Sequence, residues 1–187
     1  MNFIKTQIDG VYIIEPKIFK DERGYFFESY NESVFLRNGI RNKFVQDNQS
    51  CSTYGVVRGL HAQDGRFAQA KLVRVLHGKV LDVAVDIRPE SKTFGRYVAA
   101  ELSADNQRQL FIPRGFLHGF SVLSPVAVFA YKCDNFYAPH AEIGVKYNDP
   151  MINVDWRVPA DKIIASQKDK NAMLLSELIE KQKIKVK

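Results

Sequence analysis

The sequence predicts an all-β fold: a barrel or sandwich of short strands with short peripheral helices and helical stretches near the C-terminus. Three observations carry that prediction. Short apolar or alternating runs follow one another closely from residue 71 to residue 132. Gly and Pro punctuate the joints between them. No helical segment alternates with these runs, as a doubly wound parallel sheet would require.

Residues 10–14, Gly-Val-Tyr-Ile-Ile, are the first strand candidate. Asp21-Glu22-Arg23-Gly24 reads as a turn, after which the aromatic run 25–30 resumes a strand. Residues 32–38 suit one short helix stopped by Gly39. Residues 71–76 meet the turn His77-Gly78-Lys79. Residues 80–87 then alternate, with Leu81, Val83, Val85 and Ile87 on one face and Asp82, Ala84 and Asp86 on the other. Alternation alone does not say which face lies inside. Pro89 and Gly95 flank the next connection, and residues 97–102, 109–112, 119–123 and 126–132 complete the series. Asn148-Asp149-Pro150 marks a turn, Trp156 reads as a packing anchor, and residues 161–187 contain helical stretches that include 173–181. No repeat or low-complexity linker divides the chain, so its 187 residues read as one domain, with residues 176–187 a basic C-terminal tail.

A chain of 187 residues is long enough for one well-buried core and short for two. Its 45% hydrophobic and 26% charged content is ordinary for a soluble globular protein. No apolar run approaches the ~20 residues that span a bilayer, and Lys5, Gln7 and Asp9 interrupt any signal-peptide core. A cytoplasmic protein is expected, with no membrane partner. Cys51 and Cys133 then fit as buried or semi-buried thiols rather than a disulfide, and nothing suggests a zinc site. The formal charge is +6, but Lys181, Lys183, Lys185 and Lys187 inflate it from the last seven residues. Elsewhere the signs mix, which suits an anionic small molecule and no nucleic acid.

The chemistry concentrates in Arg58-Gly59-Leu60-His61-Ala62-Gln63, followed by Gln69-Ala70-Lys71. Arg58 and Lys71 can hold an anion. His61 is a side chain of the type whose ordinary pKa suits taking a proton near neutrality. Pro113-Arg114-Gly115-Phe116-Leu117-His118 has the form P-x-G-x-x-H and is similar to the second half-motif of the cupins, small jelly-roll barrels. Metal-binding cupins carry H-x-H in the first half-motif. Here that place reads His61-Ala62-Gln63, so a three-ligand metal site is poorly supported and His61 is free to act as a base. His77 and His140 read as structural. Asp82 and Asp86 face either the barrel or solvent, and Asp86 has Arg88 or Arg74 as candidate partners. Tyr131 ends an apolar strand, suited to core packing or to proton donation, since a phenol stays protonated at neutral pH. Tyr137 is a loop aromatic suited to stacking or to surface packing.

Taken in order, Arg58-Gly59-Leu60-His61-x-Gln63, Gln69-Ala70-Lys71-Leu72-Val73, Asp82-Val83-Ala84-Val85-Asp86-Ile87-Arg88, Pro113-x-Gly115-Phe116-x-His118-Gly119-Phe120, Tyr131-Lys132 and Ser166-x-Lys168-Asp169 form a specific combination. From about residue 10 to about residue 175 the chain resembles the dTDP-4-dehydrorhamnose 3,5-epimerase family. The resemblance implies a cupin-type jelly-roll subunit in a homodimer, with N-terminal strands completing the partner's sheet. It implies no metal and no organic cofactor. The implied substrate is dTDP-4-dehydro-6-deoxy-D-glucose, inverted at carbons 3 and 5 on the way to dTDP-L-rhamnose, a precursor of surface polysaccharide. His61 would be the base, Asp169 its orienting carboxylate with Asp82 and Asp86 as second candidates, Tyr131 the opposing proton donor, and Lys71 the stabiliser of the enolate oxygen. His118 matches a substrate contact. Arg23, Glu28, Gln46, Asp47, Asn48 and Arg58 match binding positions, the two arginines suiting a diphosphate. Phe19 and Phe26 would wall the thymine site, Tyr137 would stack on thymine, and Glu142 and Lys168 match further binding positions.

One residue departs from the family pattern. Ala62 stands where an aromatic is usual, and it either points away from His61's face or enlarges the pocket and alters which sugar, or how many centres, are accepted. A single-centre epimerase, a ketosugar isomerase on the same barrel, a non-catalytic sugar-nucleotide binder and a metal-dependent oxygenase are the competing readings.

Overall fold

A computed structural model describes residues 1–182 and resolves the chain into two antiparallel sheets and one separate hairpin. The strands are β1 (Asn2–Lys5), β2 (Tyr12–Glu15), β3 (Phe19–Asp21), β4 (Gly24–Phe26), β5 (Gln46–Thr53), β6 (Val57–Gln63) and β7 (Lys71–His77). They continue with β8 (Lys79–Asp86), β9 (Tyr97–Ser103), β10 (Gln109–Ile112), β11 (Phe116–Val122), β12 (Val126–Cys133) and β13 (Glu142–Gly144). The six-stranded sheet has the order β1-β2-β10-β7-β12-β5, and the five-stranded sheet β13-β6-β11-β8-β9. From β5 to β13 successive strands alternate between the two sheets, except for the β8–β9 pair, which gives the expected jelly-roll barrel. Three short helices accompany it: α1 (Glu32–Arg37), α2 (Gln167–Lys170) and α3 (Leu175–Gln182).

The barrel interior is apolar at one end. Val73, Val75, Leu110, Ile112 and Phe129 from the six-stranded sheet meet Ala84, Val98, Leu102, Phe116, Phe120 and Val122 from the other. A second cluster covers the outer face of the five-stranded sheet, where Leu81, Val83, Val85 and Leu117 pack under Trp156, Leu175 and Leu178. This settles the alternation in β8. Its odd residues face the C-terminal segment and its even residues face the barrel, so Asp82 and Asp86 are both fully buried rather than solvated. Asp86 accepts from Arg88, Ser91 and Thr93, which fixes the connection to β9. A third cluster, around Phe35 of α1, seals the outer face of the six-stranded sheet.

Several expectations needed correction. The aromatic run 25–30 is a strand only at its start, because β4 pairs with β3 alone and has no sheet to join. Phe19, Tyr25 and Phe26 are consequently 53%, 60% and 70% exposed. Cys51 is exposed, since it lies on the outward face of β5, whereas Cys133 is buried; both are free thiols. The C-terminal helix begins at Leu175 and buries Leu175 and Leu178. The part of the basic tail beyond residue 182 lies outside the described residues.

The joint between β6 and β11 shapes the open end of the barrel. Arg58 and His61 are three residues apart and would face opposite sides of a regular strand. Both face the barrel because β6 bends at Gly59, which has φ +126°, and the β11 register skips between His118 and Phe120. A Cβ at Gly59 would stand 2.6 Å from Gly119 Cα and 2.8 Å from the His118 carbonyl oxygen. Gly59→Ala is therefore expected to lower stability by more than ~1 kcal/mol, read as a fall in the urea midpoint at unchanged slope. A midpoint equal to wild type would refute this account of the bend.

Candidate active site

The open end of the barrel is a cavity of about 670 Å³. β6 contributes Arg58 and His61, β11 His118 and Phe120, β7 Lys71, β12 Phe129 and Tyr131, and β5 Asn48 and Ser50. Ile164, Ser166, Lys168 and Asp169 close it from the C-terminal segment. His61 and Tyr131 thus approach from opposite sheets, which is the arrangement an inversion needs.

His61 Nε2 lies 2.6 Å from Asp169 Oδ1. Asp169 is held in turn by Ser166, whose hydroxyl donates to Oδ2 at 2.8 Å and accepts from the Asp169 N–H at 3.1 Å. Ser166 is the N-cap of α2, so the helix start and the carboxylate are fixed by one side chain. Burial works to raise the Asp169 pKa, but hydrogen bonds from His61 and Ser166 outweigh it and hold the carboxyl below its ordinary value. Asp169 is therefore the partner of His61, and neither Asp82 nor Asp86 takes that role.

His118 pairs instead with Asp82, Nε2 to Oδ2 at 2.9 Å. Burial pushes His118 down and Asp82 up, with each partner's charge opposing the change. Lys71 places its ammonium 5.7 Å from the centre of the Tyr131 ring. Burial lowers the Lys71 pKa, and Cys133, Asp82 and Glu142 counteract it. Burial raises the Tyr131 pKa, which keeps the phenol protonated. Arg58 is steadied by its Nε donating to Ser52 Oγ at 3.1 Å.

A chain of contacts forms the rim. Lys168 donates to Glu142 at 2.6 Å, the Tyr137 hydroxyl donates to the same carboxylate at 3.0 Å, and the Tyr137 N–H donates to Gln46 at 3.0 Å. Gln46 also reaches Asn48. Gln63, standing where a metal cupin has its second histidine, donates to the Phe67 and Phe136 carbonyls and accepts from the Ala138 N–H, clamping the Tyr137 loop. Asp47 points the other way, ion-paired with Lys132 at 2.9 Å in a neighbouring groove. Among the described residues no three His, Cys, Asp or Glu side chains stand close enough to hold a metal.

The structure does not bring Phe19, Arg23, Phe26 or Glu28 to this cavity. Arg23 pairs with Asp21 on the exposed hairpin, and Glu28 accepts from Asn31. Conversely, the sequence did not single out Ser52, Ser166 as the anchor of Asp169, or the stacked floor of Phe120 and Phe129, whose centroids are 4.2 Å apart. The S-x-x-D spacing before α2 was the one available signal. Ala62 lies on the outward side of β6, in the cluster with Val145, Trp156 and Leu175, so its small size does not enlarge the cavity.

The depressed pKa of Asp169 has a consequence for stability. A carboxylate held low in the folded state contributes stability above its unfolded pKa, ~3.9, and loses it as pH falls through the folded value. The stability gap between wild type and Asp169→Asn, from urea unfolding, is expected to be full above about pH 5 and to close toward pH 2. A gap that widens on acidification would contradict the pairing.

A family model described as dTDP-4-dehydrorhamnose 3,5-epimerase matches residues 5–177. The dTDP-4-dehydrorhamnose 3,5-epimerase of Escherichia coli K12 is 52% identical over 180 residues, covering 96% of this chain and 97% of that protein. The crystal structure of the dTDP-4-dehydrorhamnose 3,5-epimerase from Elizabethkingia anophelis superposes with a TM-score of 0.91 at 53% identity, covering 95% of this chain and 97% of the other. The Legionella pneumophila 3,5-epimerase, solved with dTDP-4-keto-L-rhamnose, gives a TM-score of 0.92 at 50% identity over 98% and 96% of the two chains. Together with the jelly-roll barrel and its cavity, these matches show that the chain belongs to the dTDP-4-dehydrorhamnose 3,5-epimerase family of isomerases.

Proposed function

We propose that this protein inverts carbons 3 and 5 of dTDP-4-dehydro-6-deoxy-D-glucose to give dTDP-4-dehydro-L-rhamnose, in the cytoplasm, within dTDP-L-rhamnose biosynthesis. The observation that carries the reading is one cavity with a His–Asp pair on one side and a protonated phenol beside an ammonium on the other. The C4 carbonyl acidifies the hydrogens at C3 and C5. With Nε2–H donating to Asp169, His61 keeps Nδ1 as the basic nitrogen and removes one of these protons. The electron pair moves to the C4 oxygen, where Lys71 stabilises the enolate. Tyr131 delivers a proton to the opposite face, and the centre is inverted. Loss of the proton from His61 and its return to Tyr131 reset the pair for the other carbon. His118 bounds the sugar site.

The nucleotide end falls to Arg58, Asn48 and the rim of Gln46, Tyr137, Glu142 and Lys168, with Tyr137 stacking on thymine. Arg23, Glu28, Phe19 and Phe26 lie on or just after a hairpin outside their own cavity, with large exposed aromatics. That supports a homodimer in which N-terminal strands join the partner's sheet and the hairpin completes the partner's site.

Incubation with the ketosugar nucleotide in deuterated water, followed by NMR, is expected to show deuterium entering at both C3 and C5. Exchange at neither carbon sinks the proposal, and exchange at one alone makes this a single-centre epimerase. His61→Ala is expected to abolish exchange at both, and Lys71→Met to slow it by about 10²–10³-fold. Dimer completion has its own test. Mixed dimers of His61→Ala and Arg23→Ala chains are expected to recover activity, because one of the two sites then holds both native residues. If Arg23 serves its own subunit, every site in such a dimer stays defective.

A further inference from the structure

Gln63 ends β6 two residues after His61, yet its side chain is buried and does not line the cavity. Its hydrogen bonds all go to the backbone of two loops. Nε2 donates to the Phe67 carbonyl at 2.7 Å and to the Phe136 carbonyl at 3.1 Å, and Oε1 accepts from the Ala138 N–H at 2.7 Å. One side chain therefore holds the peptide groups on both sides of Tyr137. Asn135 joins the same two loops, donating to the Arg66 carbonyl at 3.0 Å and accepting from the Phe136 N–H at 2.9 Å. Gln69 adds a further tie by donating to the Asn135 carbonyl at 2.8 Å. Residues 64–69 and 134–138 are thus stitched into one unit.

Apolar burial does not hold this unit in place at its tip, where Phe136 and Tyr137 are 66% and 55% exposed. Polar ties must do so, and a loop without them would be ordered only at the moment of binding, at a cost in affinity. We propose that Gln63 is a positioning residue for nucleotide capture: with Asn135 it fixes the backbone on either side of Tyr137, so that the ring is set for the base before the base arrives. This rests on the reading in which Tyr137 stacks on thymine. The contacts of Tyr137 itself, to Gln46 and Glu142, hold its N–H and its hydroxyl. Gln63 holds the adjoining peptide planes, with the 64–68 segment as their support.

The test is a double-mutant cycle read as the Kd of dTDP by calorimetry. Tyr137→Ala is expected to weaken dTDP binding by about 5- to 100-fold, the loss of one stacked base. Gln63→Met keeps the length of the side chain and removes its hydrogen bonds, and is expected to weaken binding by about fivefold or more. In the Tyr137→Ala chain the same Gln63 substitution is expected to change the Kd by less than about twofold, because the group it positions is gone. A merely structural role would weaken binding alike in both backgrounds, and that outcome, or an unchanged Kd in the Gln63→Met single variant, overturns the proposal. Asn135→Ala, at a partly exposed position, carries the same cycle where Gln63→Met does not fold. Its effect on the Kd is likewise expected to vanish in the Tyr137→Ala chain, and an equal effect in both backgrounds overturns the proposal. If Tyr137→Ala alone leaves the Kd unchanged, the stacking reading has failed and the proposal falls with it.

Discussion

Burial of the outer face of the five-stranded sheet is the constraint on which the active site depends. Leu81, Val83, Val85 and Leu117 form an apolar surface that must be covered, and each such side chain is worth roughly 1.5–3 kcal/mol when buried. Trp156, Leu175 and Leu178 cover it. Asp149 locks the cover down by accepting from the backbone N–H of Met151, Ile152 and Leu175. Between these anchors the chain passes the open end of the barrel, and there it sets Ser166 and Asp169 against His61. The His61–Asp169 pair is thus assembled by a hydrophobic force acting on other residues.

Two histidines of the five-stranded sheet each pair with an aspartate, and burial gives the pairs different characters. The His61 side chain is 29% exposed and borders the cavity, while Asp169 has Ser166 and a backbone N–H to stabilise its charge. Such a pair can accept a proton without leaving a charge stranded. The His118 side chain is 8% exposed and Asp82 is fully buried with one oxygen bare, so that pair resists change in its own protonation.

The outline of the barrel was legible in the sequence wherever strands bury apolar residues, as from residue 71 to residue 132. It was not legible for β5 and β6. Gln46–Thr53 carries polar residues because its inward face lines a polar cavity, and Val57–Gln63 is interrupted by the bend at Gly59. Strands that build a site lose the alternation by which strands are recognised. The aromatic run 25–30 misled in the opposite direction, since its apolar character serves an exposed hairpin rather than a core.

Residue types at fixed spacing settled the family and the list of chemical groups: an imidazole beside a guanidinium, an ammonium, a phenol and a late carboxylate. Composition and order carry that much because the chemistry demands those groups whatever the packing. Pairing was decided only in three dimensions. Asp82, Asp86 and Asp169 are the same residue type, and the sequence left all three as candidates for His61. Strand alternation sent Asp82 to His118, the connection to β9 gave Asp86 to Arg88, and the C-terminal cover delivered Asp169. The side of β6 on which Ala62 falls was decided in the same way, because a bend at one glycine shifts which residues face inward.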